Sequence, residues 1–95
     1  MLMHVVSFKY RADVDERARA EHRAKLKELS DLAWVGELNV GADVVRSTRS
    51  YDTGLVVTFR DRAALEGYQQ DPRHLRVALV GAERCEQIVA VDFEV

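Results

Sequence analysis

The chain has 95 residues, 47% of them apolar, so we expect one compact domain spanning residues 1–95. Its 14 Lys and Arg against 16 Asp and Glu give a net charge of −2 without a basic block, which argues against a nucleic-acid partner. The start lacks the basic region of a signal peptide, no stretch is long and apolar enough to span a membrane, and Cys85 is the single cysteine. We therefore expect a cytoplasmic protein that does not contact membranes.

The first predicted elements are a strand and a helix. The strand covers residues 3–10, and its alternation places His4, Val6, Phe8 and Tyr10 on one face. A capping-box pattern at Asp13 and Glu16 then predicts a helix that ends near Leu32. At about 100° per residue its apolar stripe has a histidine in the middle. The stripe consists of Val14, Ala18, His22, Leu26, Leu29 and Ala33.

Two strands are predicted in the middle of the chain. The first covers residues 35–42, and a polar connection over residues 43–50 separates it from the second, Thr53–Phe59. Both faces of this second strand are substantially apolar, which is typical of a sheet that is covered on both sides. A single subunit can supply helices for one side only.

The last part of the chain predicts a split helix and a fourth strand. Asp61 caps a short helix that runs to Tyr68, and Asp71-Pro72 ends it and begins another. Gly81 marks the predicted end of that second piece. The final strand is predicted over residues 87–95, with both faces apolar at its start.

This β-α-β-β-α-β order indicates an α+β, ferredoxin-like split βαβ fold with a four-stranded antiparallel sheet and helices on one face. The open face is expected to form a homodimer, because burying it removes several hundred Å² of apolar surface at about 25 cal/mol per Å². Strand parity assigns Val5, Val89, Val91 and Phe93 to that subunit interface. The helix-covered face is predicted to hold His4, Val6, Phe8, Ile88 and Ala90.

The order of five segments resembles the stress-responsive A/B barrel (Dabb) domain family: residues 4–10, 49–52, 59–68, 71–74 and 91–93. The resemblance implies a homodimer forming an α+β barrel, with a cavity in each subunit between sheet and helices. The family includes a plant polyketide cyclase, olivetolic acid cyclase, which closes an aromatic ring by aldol condensation with a tyrosine and a histidine that match Tyr68 and His74. The chain departs from the usual pattern at Asp71, in place of the first histidine of a His-Pro-x-His run. It also has Trp34 in a segment where proline is common.

Tyr68 and His74 are the candidate catalytic residues. An imidazole can take a proton next to a carbonyl group, and a phenol can donate a hydrogen bond to the developing enolate oxygen. Neither role needs a cofactor, and the glycine spacing contains no phosphate-binding loop, so we expect no cofactor. The alternative is that Tyr68 packs on the sheet and His74 bonds locally in the first turn of its helix.

The other predicted pocket residues are a set that strand parity and helical periodicity direct to the space between the sheet and the helices. They are His4, Val6, Phe8, His22, Leu26 and Ile88. Hydrogen-bonded core histidines are the simplest interpretation of His4 and His22, because an unpaired buried imidazole costs about 1 to 3 kcal/mol. No pair of histidines has the spacing of a zinc motif, so no metal site is assigned.

Three functions stay open at this point. The first is a cofactor-independent cyclase or lyase type of enzyme that acts on a small, largely apolar carbonyl compound, polyketide-like or phenolic. The second is a noncatalytic small-ligand-binding or stress-associated dimer in which the same residues shape a cavity. The third is a cofactor-free monooxygenase, which shares the dimeric ferredoxin-like plan. An open pocket that exposes both Tyr68 and His74 would favour an enzyme.

Overall fold

The structure is a computed structural model that describes residues 1–95. It confirms the predicted α+β order and the split of the second helical region. A short 3₁₀ turn at Glu28–Asp31 follows the first helix. The elements are β1 (Leu2–Tyr10), α1 (Glu16–Lys27), β2 (Glu37–Ala42), β3 (Thr53–Phe59), α2 (Arg62–Gln70), α3 (Pro72–Arg84) and β4 (Cys85–Glu94).

The four strands form one antiparallel sheet in the order β2-β3-β1-β4, as expected for the ferredoxin-like fold. In the middle of the ladder Val6 of β1 lies opposite Leu55 of β3 on one side and Ala90 of β4 on the other. One residue earlier, Val5 lies opposite Val56 and Val91. Because paired residues point to the same face, these two rows lie on opposite faces of the sheet.

The core lies between the helices and one face of the sheet. Its buried apolar residues come mainly from alternate positions of β1 and β3 and from the helical segments, including Leu26 and Leu29. The opposite face of the sheet carries no helix, and Val89, Val91 and Phe93 are exposed on it. None of the helices has the length and hydrophobicity needed to span a bilayer.

The first helix begins two residues later than the sequence pattern indicated. Its N-cap is Asp15, whose carboxylate accepts a hydrogen bond from the Ala18 amide at 2.9 Å. Asp13 precedes the cap, so Glu16 is the first helical residue and not the third. The helix also tightens into the 3₁₀ turn after Lys27, which rotates Ala33 off the buried stripe to an exposed position.

Gly81 does not end the last helix, because α3 continues to Arg84. The glycine is buried in the helix interior, where an added methyl group would lie 3.2 Å from Nε2 of His22. Close packing of α3 against α1 therefore explains the glycine better than a helix end does. Strand β2 begins at Glu37, two residues after the predicted start, because the Val35 amide bonds to the Leu32 carbonyl in a turn.

Candidate ligand-binding site between the sheet and the helices

A mostly apolar cavity of about 200 Å³ lies between the sheet and the helices. It is smaller than the clefts of about 300–1,000 Å³ that hold drug-sized ligands. The structure brings together at this cavity every residue that the sequence assigned to the site: Tyr68, His74, His4, Val6, Phe8, His22, Leu26 and Ile88. Their chemical roles remain predictions.

Tyr68 on α2 is a fully buried polar side chain of the cavity. Its side chain has an exposure of 0%, and its hydroxyl group has no hydrogen-bond partner. Its ring packs against Phe59 at a centroid distance of 5.0 Å and against His4 at 6.2 Å. Burial raises the pKa of Tyr68 to about 12, so the phenol is protonated at neutral pH and can donate a hydrogen bond.

His74 lies beside Tyr68, with 4.4 Å between the ring centroids. Its Nδ1–H donates to the Gln69 carbonyl at 3.2 Å, which leaves the lone pair of the neutral ring on Nε2. Desolvation lowers the pKa of His74 below its ordinary value, and the neighbouring His4 acts in the same direction. The imidazole is therefore neutral at pH 7 and can accept a proton.

Asp71 lies at the junction of α2 and α3, the helices that carry Tyr68 and His74. It ends α2 through its amide, which bonds to the Tyr68 carbonyl at 3.2 Å, and it begins α3 by accepting from the Arg73 amide at 2.9 Å. Pro72 occupies the first helical position, where its missing N–H costs nothing. The second carboxylate oxygen of Asp71 accepts from Nε1 of Trp34 at 3.3 Å.

His4 is bonded to an aspartate on the neighbouring strand. Its Nδ1 forms a hydrogen bond with Oδ1 of Asp92, which lies directly opposite it in the β1–β4 ladder. Because directly opposed residues of a ladder share a face, Asp92 lies on the helix side of the sheet with His4. Because a carboxylate only accepts, Nδ1 carries the proton and Nε2 is the nitrogen left for other partners.

His22 on α1 is bonded to Tyr10 of β1. Its Nδ1 lies 2.7 Å from the Tyr10 hydroxyl, which is also 3.0 Å from Oγ1 of Thr53, whereas its Nε2 has no partner. Burial lowers the pKa of His22 to about 4, and the charges of Arg84 and Arg23 add to this shift. The ring is therefore neutral at pH 7.

The cavity histidines do not assemble a metal site. Each uses its Nδ1 in a different bond: His4 to Asp92, His22 to Tyr10 and His74 to the Gln69 carbonyl. No group of three or more His, Cys, Asp or Glu side chains has a geometry that could hold a metal ion.

Ile88 differs from its prediction in exposure. It lies on the helix side of the sheet and lines the cavity, but 42% of it is exposed because β4 is an edge strand that α3 covers only in part. Ile88 and Ala90 therefore form the accessible border of the cavity and not its buried wall. The lining residues that sequence reasoning missed are Leu55, Gln69, Val77 and Ala78. The last two could have been found, since they lie three and four residues after His74 on one helix face.

The fold and the cavity together define a ferredoxin-like α+β domain with a small pocket beneath its helices. The chain belongs to the stress-responsive A/B barrel domain family, whose model matches residues 2–95. A comparison with curated proteins finds no match.

Solved structures show the same fold. A dimeric ferredoxin-like protein of unknown function from Thermobifida fusca YX is 21% identical, with 99% of this chain and 90% of that one covered at a TM-score of 0.90. A second such protein, from Jannaschia sp. CCS1, is 29% identical with 99% and 98% covered and a TM-score of 0.82. A hydroxynitrile lyase from Passiflora edulis is 19% identical with 99% and 92% covered and a TM-score of 0.88.

Proposed function

We propose that this protein is a cofactor-independent enzyme that removes a proton next to the carbonyl group of a small, largely apolar compound. The observation that carries the proposal is the Tyr68 hydroxyl, fully buried and unpartnered in the cavity beside the neutral imidazole of His74. Leaving a buried hydroxyl unpaired costs about 1 to 3 kcal/mol, and a ligand oxygen in the cavity would remove that cost. Several hydrocarbon side chains line the rest of the cavity, which favours an apolar ligand body.

The proposed step begins with Nε2 of His74, which takes the proton from the carbon next to the carbonyl group. The electron pair of the broken C–H bond forms the carbon–carbon double bond of an enolate, and the carbonyl oxygen gains the negative charge. Tyr68 donates a hydrogen bond to that oxygen, where a donor in a low-dielectric site is most effective. The imidazolium of His74 then returns its proton to carbon or oxygen. No cofactor takes part in this step.

The Passiflora hydroxynitrile lyase shows that one protein with this fold is a lyase. At 19% identity the likeness extends to the fold alone, so the proposal rests on the residues of this chain.

We further propose that the protein forms a homodimer through the open face of its sheet. Structures of this fold from Thermobifida fusca, Bacteroides fragilis and Jannaschia are described as dimeric. In this chain the apolar side chains of Val89, Val91 and Phe93 are exposed side by side on that face. An apolar patch of this kind is typical of a subunit interface.

The test is the exchange of hydrogen for deuterium next to a carbonyl group in D₂O, followed by proton NMR with methyl pentyl ketone as the probe. Wild-type protein should accelerate the exchange, and His74→Gln should remove about 10²–10⁴-fold of that acceleration, the usual contribution of a general base. If the ketone binds without exchange in the wild type, the noncatalytic ligand-binding alternative is supported instead. Oxygen consumption with a phenolic probe would support the monooxygenase.

A further inference from the structure

A chain of hydrogen bonds runs from the protein surface to His22. Arg23 donates to Oγ1 of Thr53 at 3.4 Å, Thr53 lies 3.0 Å from the Tyr10 hydroxyl, and that hydroxyl lies 2.7 Å from Nδ1 of His22. Thr53, Tyr10 and His22 are all buried. The chain therefore fixes the orientation of the imidazole at one end of the cavity.

Oγ1 of Thr53 accepts from the Arg23 guanidinium in either direction of this chain, so the direction follows from the number of groups left without a partner. If Thr53 accepts from Arg23 and donates to Tyr10, Tyr10 donates to Nδ1 of His22, and both hydroxyl protons are used. In the opposite direction the proton of the Thr53 hydroxyl has no acceptor, and Nε2 of His22 is unpaired as well. The first arrangement leaves only one buried polar group without a hydrogen-bond partner, the Nε2–H of His22. It is favoured because each unpaired buried group costs free energy.

The absence of a side chain at residue 81 lets α3 pass close to this Nε2 without covering it by a methyl group. A methyl group at position 81 would lie 3.2 Å from Nε2 and 3.7 Å from side-chain atoms of Phe8 and Ile88. Phe8, Ile88 and His22 all line the cavity. An acceptor bonded to Nε2 would need a distance of about 2.7–3.2 Å, which such a methyl group would contest.

His22 and Tyr68 lie at different ends of the cavity. The His22 ring packs against Phe8 at 5.0 Å, whereas the Tyr68 ring lies 6.2 Å from His4. Phe8 and His4 are four residues apart on β1, which is about 13 Å at about 3.3 Å per residue. The cavity therefore has one unpartnered buried polar atom near each end, Nε2 of His22 and the hydroxyl of Tyr68, with apolar side chains between them.

We propose that Nε2–H of His22 is a specificity-determining donor that binds a second, neutral oxygen of the ligand. The substrate class is then a small compound with a carbonyl group at the Tyr68 end, an apolar body, and a second carbonyl or ester oxygen at the His22 end. This assignment rests on the proposed function, since it takes Tyr68 and His74 to hold the reacting carbonyl group.

A neutral oxygen fits this end better than a carboxylate. The His22 ring itself is neutral, because burial holds its pKa at about 4. The nearest cations are already paired, Arg23 with Glu16 and Arg84 with Glu21. A buried carboxylate here would lack a free positive charge to offset its desolvation.

The test compares linear diketones of increasing length with the monoketone of the same length, by calorimetric titration of the wild-type protein. At one length the diketone should bind about five- to tenfold more tightly, the effect of one neutral hydrogen bond. In His22→Phe the ratio should fall to about one, and His22→Gln, which keeps an N–H donor, should restore part of it. Gly81→Ala should also reduce the ratio, because its methyl group would lie 3.2 Å from Nε2 of His22 and would crowd an incoming acceptor.

Equal affinities at every length in the wild type, or a diketone advantage that persists in His22→Phe, would overturn the assignment and leave the proposed function intact. Failure of the monoketones themselves to bind would overturn both. A tautomer measurement by ¹⁵N NMR on the wild type does not depend on any variant that fails to fold. It should show the proton of His22 on Nε2, and a proton on Nδ1 would contradict the assignment.

Discussion

Nδ1 of His4 and Oδ1 of Asp92 are hydrogen-bonded across the β1–β4 ladder at directly opposed positions. His4 is buried, while the Asp92 side chain is partly exposed at the sheet edge. The bond fixes the tautomer of a histidine whose ring stands nearly perpendicular to that of Tyr68, at an interplanar angle of 69°. Asp92 is thus a positioning residue for a ring that lines the cavity.

Replacing Asp92 by alanine should release this tautomer. We expect the ¹⁵N resonances of His4 to change from one tautomer to a mixture, and the affinity for methyl pentyl ketone to fall several-fold. The free energy of unfolding should fall by about 1 to 3 kcal/mol, because the buried imidazole of His4 loses its partner. Glu94→Ala, two residues further along the same strand and face, is the control and should change neither readout. An unaltered tautomer in Asp92→Ala would show that the bond does not orient His4.

Replacing Tyr68 by phenylalanine should stabilise the protein while impairing carbonyl chemistry. The substitution removes a buried hydroxyl that has no partner, so the free energy of unfolding should rise by about 1 kcal/mol. Tyr10→Phe is the matched control, because the hydroxyl of Tyr10 lies within bonding distance of His22 and Thr53 and its loss should destabilise. Urea unfolding measures the free energy of unfolding of both variants. Equal destabilisation would mean that the Tyr68 hydroxyl has a protein partner in solution.

The lowered pKa of His22 predicts that the protein loses stability on acidification. Its pKa is about 4 in the folded protein and about 6.5 in the unfolded chain, so between these values the unfolded chain binds more protons. Stability from this group is fully present above about pH 6.5 and falls by about 3 kcal/mol as the pH approaches 4. His22→Gln should flatten the pH dependence of the free energy of unfolding in this window. An unchanged slope would show that His22 is hydrated in the folded state.

A charge on the open face of the sheet should prevent dimer formation. Val91 is 64% exposed on that face, and Val91→Asp would place carboxylates in an apolar interface. We expect the dimer dissociation constant to rise by more than about a hundredfold, measured by light scattering. The matched control is Leu79→Asp on α3, at a similarly exposed apolar position on the helix side. Dissociation by the control and not by Val91→Asp would locate the interface on the helices.

The indole of Trp34 packs directly on the backbone of α2 at Gly67. A methyl group on Gly67 would lie 2.7 Å from the indole ring, too close for any side chain, so Gly67→Ala should destabilise the protein and change the tryptophan fluorescence. In a Trp34→Ala background the same substitution should stabilise by about 0.5 to 1 kcal/mol, since alanine favours a helix over glycine. A destabilising effect in both backgrounds would assign the cost to some contact other than Trp34.

The sequence was sufficient to predict the two faces of the sheet, because the alternation of apolar residues in β1 and β3 indicates directly which side chains are buried. Parity placed His4 and Phe8 on the helix side, and helical periodicity directed His22 to the same space from an independent element. Two independent residue patterns that agree on one location predict it more reliably than either pattern alone. The same logic assigned Val91 to the open face.

Ambiguous local signals and long-range packing explain the misplaced predictions. Asp13 and Asp15 both precede α1, and local pattern alone does not decide which carboxylate reaches an amide of the first turn. A glycine at position 81 is typical of a helix end. Its lack of a side chain instead allows close packing against His22, which is distant in sequence. The exposure of Ile88 depends on β4 being an edge strand, a property of the sheet order and not of the strand itself.

The bond between Trp34 and Asp71 joins the segment before β2 to the junction of α2 and α3. Asp71 is also the residue on which α2 ends and α3 begins, with Tyr68 before it and His74 after it. The indole therefore supports the junction of α2 and α3 from outside the cavity. A substitution at Trp34 or Asp71 should therefore alter the spacing of the Tyr68 and His74 rings while both rings stay unchanged.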